Sequence, residues 1–278
     1  MSTRAPSSRR HATAALLLAG AMPLAAPAAP PVPVQLQYSA DVGGNFAGPG
    51  VTGYASRRDY VIDTLTGVRV PVRIAGLPER VDLRDFQIDP DGAVLFALDT
   101  GAKLGGLYFA AGDVVRFKNG LFLPYFDAVD AGIPEGVRCD GVARAGALVD
   151  SPLLLSFDRG FKLGADTIVP ADVLIFVDGE YRGRLLDAKA LGLPEQLNVD
   201  AIESAGTTTD LLVSFDTGGK VGGVTFADHD VLDLDLVGAG GWTKLCALDE
   251  FATRWGPANL DGLAAAPNGD GLFKDGFE

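Results

Sequence analysis

The chain has 278 residues, 36 of them acidic and 23 basic, for a formal net charge of −13. That acidity excludes nucleic acid and anionic membrane surfaces as partners for the surface as a whole. No segment reaches the roughly 18 uninterrupted apolar residues of a spanning helix, which excludes membrane insertion, and two cysteines, Cys139 and Cys246, are too few for a disulfide scaffold.

Arg4, Arg9 and Arg10 precede an apolar stretch over residues 12–24 and then Ala26-Pro27-Ala28, the order of a secretory signal peptide. The sequence thus predicts a signal over residues 1–28, cut after Ala28, and a Pro-rich lead-in over 29–34. Removing three arginines and no acid leaves 20 basic against 36 acidic side chains, a net charge of −16. The expected product is a secreted or periplasmic monomer, soluble after export, with one repeat domain over residues 35–270 and a tail over 271–278.

The domain is a module written four times. Its apolar run ends at Asp41, Asp99, Asp158 and Asp216, separated by 58, 59 and 58 residues. Each unit reads as four short strands. The first opens at Asp82, Asp140, Asp200 or Asp261 and is rich in small residues, such as Gly141, Ala143 and Ala145. The second is almost continuously apolar, as in Val94-Leu95-Phe96-Ala97-Leu98, so both of its faces must be covered. The third and fourth meet across Asn119-Gly120 or Asp178-Gly179, dipeptides suited to two-residue hairpin turns. The chain enters on a second strand at residues 35–41 and finishes on a first strand at 260–266, so the two ends can complete one unit. These features predict an all-β, four-bladed β-propeller closed by its termini, with an open β-solenoid or paired β-sandwiches as alternatives. Helix is expected only in turns, over residues 187–191 and 248–254.

Gly-Leu-Pro and Gly-Ile-Pro corners recur at Gly76-Leu77-Pro78, Gly132-Ile133-Pro134 and Gly192-Leu193-Pro194. With the repeat spacing, they give the chain a general plan that resembles the four-bladed hemopexin-type propeller. It is also similar to uncharacterised Ser-Phe-Asp repeats of exported bacterial proteins. Residues 271–278 resemble a short tail of such proteins. Neither family carries a functional residue across, because the hemopexin likeness lies in spacing and not in the aromatic-rich strands.

Asp99-Thr100-Gly101 and Asp216-Thr217-Gly218 look like the paired signature of aspartic peptidases, whose two carboxylates share a proton. The same turn reads Asp158-Arg159-Gly160 and Asp41-Val42-Gly43 elsewhere, which favours a structural turn whose Asp accepts backbone N–H bonds. The glycine-rich loops around Lys103, Lys162 and Lys220 lack the helix and the Lys-Ser or Lys-Thr pair of a phosphate loop. His229 stands alone after export, so no hydrolase triad or zinc site can be assembled. Asp82, Asp140, Asp200 and Asp261 would ring one mouth of the channel, where close carboxylates repel unless neutralised. Ca²⁺ is the cation that would suit them, and local capping of each blade is the alternative.

The expectation is therefore a non-enzymatic exported propeller that binds an unknown ligand or protein at one face. The rival readings are a hydrolase, as an Asp-Thr-Gly peptidase or a carboxylate glycosidase, and a purely structural envelope protein.

Overall fold

The computed structural model describes residues 35–40, 44–48, 51–55, 59–63, 69–146, 148–204, 210–236, 241–247 and 260–266. The segments expected as signal peptide, lead-in and tail, the Asp41 turn and the turn expected over 248–254 lie outside the described residues. The chain opens with β1 (Gln35–Ala40), β2 (Gly44–Gly48), β3 (Val51–Ala55), β4 (Asp59–Asp63) and β5 (Arg69–Arg73). Next come β6 (Leu83–Ile88), β7 (Val94–Leu98), β8 (Ala102–Leu104), β9 (Leu107–Phe109), β10 (Val114–Lys118) and β11 (Leu121–Phe126). The third group is β12 (Cys139–Arg144), β13 (Leu153–Phe157), β14 (Phe161–Leu163), β15 (Asp166–Ile168), β16 (Val173–Val177) and β17 (Glu180–Leu186). The last is β18 (Val199–Glu203), β19 (Asp210–Phe215), β20 (Gly219–Val221), β21 (Val224–Phe226), β22 (Asp230–Asp235) and β23 (Trp242–Ala247), followed by β24 (Leu260–Ala266). No helix occurs among the described residues, and none is long and apolar enough to cross a membrane.

Four antiparallel sheets have the orders β6-β7-β10-β11, β12-β13-β16-β17, β18-β19-β22-β23 and β24-β1-β4-β5. These are blades one to four, and the fourth joins the two ends of the chain. Gln35 pairs with Ala266 and Tyr38 with Leu263. The strands β6, β12, β18 and β24 each adjoin the next, and β24 returns to β6, so the inner strands close a ring. That closure defines a four-bladed β-propeller and excludes the open solenoid.

Burial explains the second strands. Every residue of β7 and β13 is buried, because a propeller blade is covered by its neighbours on both faces. The I′ hairpin turns are as expected: Asn119 and Gly120 have φ of 52° and 77°, and so do Asp178 and Gly179. Gly141 is favoured for another reason. A Cβ there would lie 2.3 Å from Ser156 Oγ of the same blade and 3.0 Å from Ile202 Cγ1 of blade three, so both side chains would have to shift.

The Ser-Phe-Asp repeat also acquires a mechanical reading. Ser156 Oγ donates to Val199 O at 3.2 Å and Ser214 Oγ to Leu260 O at 3.5 Å, each tying a second strand to the inner strand of the following blade. Phe157 and Phe215 fill the core beside it.

One feature departs from the four-strand unit. The lysine loops are not loops but short hairpins, β8-β9, β14-β15 and β20-β21, lying between the second and third strands. Lys103 and Lys162 project outward between buried neighbours, and Lys162 Nζ lies 2.5 Å from Thr167 Oγ1 across its hairpin. A three-residue alternation is too short to stand out in sequence.

Candidate functional site

Each inner strand carries a β-bulge where the chain enters the blade. Cys139 pairs with Phe157 and Gly141 with Ser156, which leaves Asp140 as the extra residue. The same irregularity leaves Asp200 extra between Val199 and Ala201, and Asp261 extra between Leu260 and Gly262. Bulges re-aim side chains, and these three place a carboxylate at one mouth of the ring.

Blade one breaks the pattern. Counting back two residues from the cross-strand pairs Phe86–Phe96, Val142–Leu155, Ile202–Val213 and Leu263–Tyr38 gives Arg84, Asp140, Asp200 and Asp261. The fourth member of the inner tier is therefore Arg84, and Asp82 stands two residues earlier, equivalent to Arg138 and Asn198. All four expected carboxylates do line one cavity, together with Arg84, but they are not one symmetric ring. Among the described residues, no group of three or more His, Cys, Asp or Glu side chains is arranged to hold a metal ion.

Arg84 Nη1 lies 3.4 Å from Asp200 Oδ1 and 3.7 Å from Asp140 Oδ1. Burial pulls its guanidinium down, but Asp140, Asp200, Asp261 and Asp82 outweigh that and raise it. Burial pushes Asp140 up to about 6, against the opposing pull of Arg84 and a 2.8 Å hydrogen bond from Asn198 Nδ2.

The residue after Arg84 plugs the axis. Asp85 occupies the position that is Gly141, Ala201 and Gly262 in the other blades, and it is fully buried. It accepts N–H bonds from one residue of every inner strand: Phe86 at 2.9 Å, Val142 at 2.7 Å, Ile202 at 3.1 Å and Leu263 at 2.8 Å. Burial pushes its carboxyl well above the ordinary range, and the four amides pull the other way. The sequence reading missed this hub. Its signal was a charged residue where the other copies have Gly or Ala.

An outer tier comes from the ends of the second strands. Asp99 Oδ1 accepts the Asp82 amide at 2.7 Å and Asp158 Oδ1 the Arg138 amide at 2.8 Å, while Asp216 is bonded by the Asn198 amide. The Asp-x-Gly turns thus cap the entry to each inner strand. Burial acts to raise Asp158, but bonds from Arg159 and Arg138 outweigh it and hold the carboxyl low. Burial raises Asp216. Asp99 and Asp216 belong to alternate blades, and no hydrogen bond between them occurs among the described residues.

The two tiers bound a cup of about 450 Å³. Among its described lining residues, Asp82, Asp99, Asp140, Asp158, Asp200, Asp216 and Asp261 outnumber the cations Arg84 and Arg138, and Arg159 adds a third cation on Asp158. Three oxygens of the cup's lining residues, Asp140 Oδ1, Asn198 Oδ1 and Asp216 Oδ1, are buried without a hydrogen-bond donor.

The remaining expected residues lie elsewhere. His229 sits in the turn before β22, its Nδ1 2.9 Å from Asp228 Oδ1. Cys139 is a buried free thiol on the innermost strand of blade two, and burial pushes its pKa well up. Cys246 belongs to β23, the outermost strand of blade three.

No protein-family model matches the chain, and no curated protein matches it. Among solved structures it is similar to a luciferin-regenerating enzyme, with 14% identity and a TM-score of 0.34 over 73% of this chain and 61% of that one. It is similar to an auxiliary nutrient binding protein from Bacteroides ovatus, with 8% identity and a TM-score of 0.35 over 77% of this chain and 50% of that one. A catalytically inactive virginiamycin B lyase from Staphylococcus aureus gives 13% identity and a TM-score of 0.31 over 75% of this chain and 54% of that one. The chain thus spans between half and three-fifths of these structures' length. The propeller assignment rests on the strand order and the closed inner ring.

Proposed function

We propose that the chain is an exported, non-enzymatic binding propeller that takes a positively charged ligand in its acidic cup. The observation behind this reading is the set of buried oxygens without donors, Asp140 Oδ1, Asn198 Oδ1 and Asp216 Oδ1, on residues that line a cavity in which acidic side chains outnumber basic ones. A buried acceptor left unmatched costs about 1–3 kcal/mol, and a cationic donor would recover that cost. Calcium at Asp82, Asp140, Asp200 and Asp261 is one form of the proposal, with Arg84 as the cation it would have to join or displace. The proposal takes residues 1–28 as the export signal and 35–270 as the binding domain.

The test is thermal melting at fixed ionic strength with CaCl₂, with an organic polyamine, and with neither. A ligand at a hundredfold excess over Kd stabilises the folded state by about 2.7 kcal/mol, which is roughly 5–10 °C for a domain of this size. The rise should vanish in a variant carrying Asp140→Asn and Asp216→Asn. A wild type whose melting neither kind of cation alters would refute the reading.

A further inference from the structure

The cup's carboxylates are spread over two tiers and do not converge on a point. Calcium requires six to eight oxygens at about 2.3–2.6 Å around one centre, and no such grouping exists among the described residues. Ammonium and guanidinium groups need less, because each donates along separate directions to one or two carboxylates at a time.

The inner tier already holds one such group. Arg84 reaches Asp200 and Asp140 at 3.4 and 3.7 Å, beyond the roughly 2.7–2.9 Å of a charge-assisted bond. By contrast, Arg144 of β12 grips Asp89, just past the end of β6, with two bonds of 2.6 and 3.0 Å. Arg84 is thus a loosely seated occupant, and Asp140 Oδ1 beneath it has no hydrogen bond although the Asp140 side chain is only 1% exposed. The cup's volume of about 450 Å³ falls within the range of small-molecule sites. That is room for several linked heavy atoms.

We propose that the ligand is an organic polycation bearing two or more spaced ammonium or guanidinium groups, one of which takes over the inner-tier carboxylates from Arg84 while another lies against Asp216 and Asn198. This rests on the cup being the binding site. The chemistry is shared by free polyamines and by clustered Lys or Arg side chains of a peptide.

Isothermal titration with spermidine, with a triarginine peptide and with CaCl₂ at matched ionic strength tests it. At least one of the two organic cations should bind the full exported chain, and their relative affinities identify the source. The Asp140→Asn/Asp216→Asn variant should lose at least tenfold in affinity, although it removes only two of many acidic charges. Arg84→Met, which removes the tethered competitor, should tighten binding about tenfold. Circular dichroism and melting without ligand establish that each variant is folded, and the wild-type titrations stand whichever variants fold. Binding of CaCl₂ with neither organic cation would overturn this inference and leave the cationic cup intact. Binding of none of the three overturns both. Organic-cation affinity unchanged in the folded double variant would reveal a diffuse effect of net charge and overturn the assignment to the cup, and unchanged or weaker affinity in folded Arg84→Met would overturn the displacement.

Discussion

Replacing Asp85 with asparagine alters almost no volume and removes half of what the residue does. The carboxylate accepts four buried backbone N–H groups, one from each inner strand, at 2.7–3.1 Å. The amide oxygen of asparagine has two lone pairs, and its NH₂ would face two donors with donors of its own. Two buried amides are then orphaned, at about 1–3 kcal/mol each, or roughly 2–6 kcal/mol in total. Relief of the burial cost that pushes Asp85's pKa upward offsets part of this, so the expected net loss lies toward the lower end, about 2–3 kcal/mol. For a domain of this size that corresponds to roughly 4–12 °C in Tm. Asp85→Ala should be worse, since it orphans all four amides and leaves a void on the axis. Calorimetry of the wild type and both variants at neutral pH measures the differences. An asparagine variant that melts with the wild type or above it would show that Asp85 is a tolerated buried charge and not the group that holds the inner strands.

Gly141→Ala puts a Cβ 2.3 Å from Ser156 Oγ and should cost about 1–3 kcal/mol, with part recovered in a double variant that also carries Ser156→Ala. Chemical denaturation of the four members of that cycle measures the coupling, and additive losses would contradict the contact. Asp140, raised to about 6 by burial, holds a proton in the folded state that the unfolded chain releases near 3.9. Its contribution to stability is therefore present below about pH 4 and lost as the pH rises toward 6, by up to about 3 kcal/mol, and Asp140→Asn should flatten that part of the stability–pH curve. Cys139 and Cys246 lie on an innermost and an outermost strand, about three strand spacings or ~14 Å apart radially. Thiol titration of the denatured, unreduced protein should find two thiols, and finding none would contradict the blade assignment.

The features legible in the sequence were those with a strong local cause. Apolar runs such as Leu153-Leu154-Leu155 cannot face water on either side, and Asp178-Gly179 supplies the positive φ angles that a tight hairpin requires. Closure by the termini followed from where in the repeat the chain starts and stops. The three-residue hairpins were not legible, because Ala102-Lys103-Leu104 offers a single alternation. The inner tier was misaligned for a different reason. Matching acid to acid made Asp82 the equivalent of Asp140, whereas the cross-strand partner Phe96 of Phe86 makes it Arg84. Register is a property of paired strands, and one strand read alone does not reveal it.

Misalignment concealed the point at which the fold departs from its own repetition. Four identical blades would place four carboxylates at the mouth and four small residues around the axis, a ring that repels itself above an unfilled channel with four inward amides. Blade one resolves both conflicts with adjacent residues: Arg84 supplies a cation to the ring, and Asp85 supplies an acceptor to the amides. Neither substitution would be tolerated four times over, since four guanidiniums would repel as the carboxylates do and four Asp85 side chains would not fit on one axis. A repeat protein closed by a single chain can specialise one copy in this way. The same asymmetry gives the cup an inner tier of three carboxylates and one guanidinium, whose exchange for a ligand's cation is the step that the proposed binding requires.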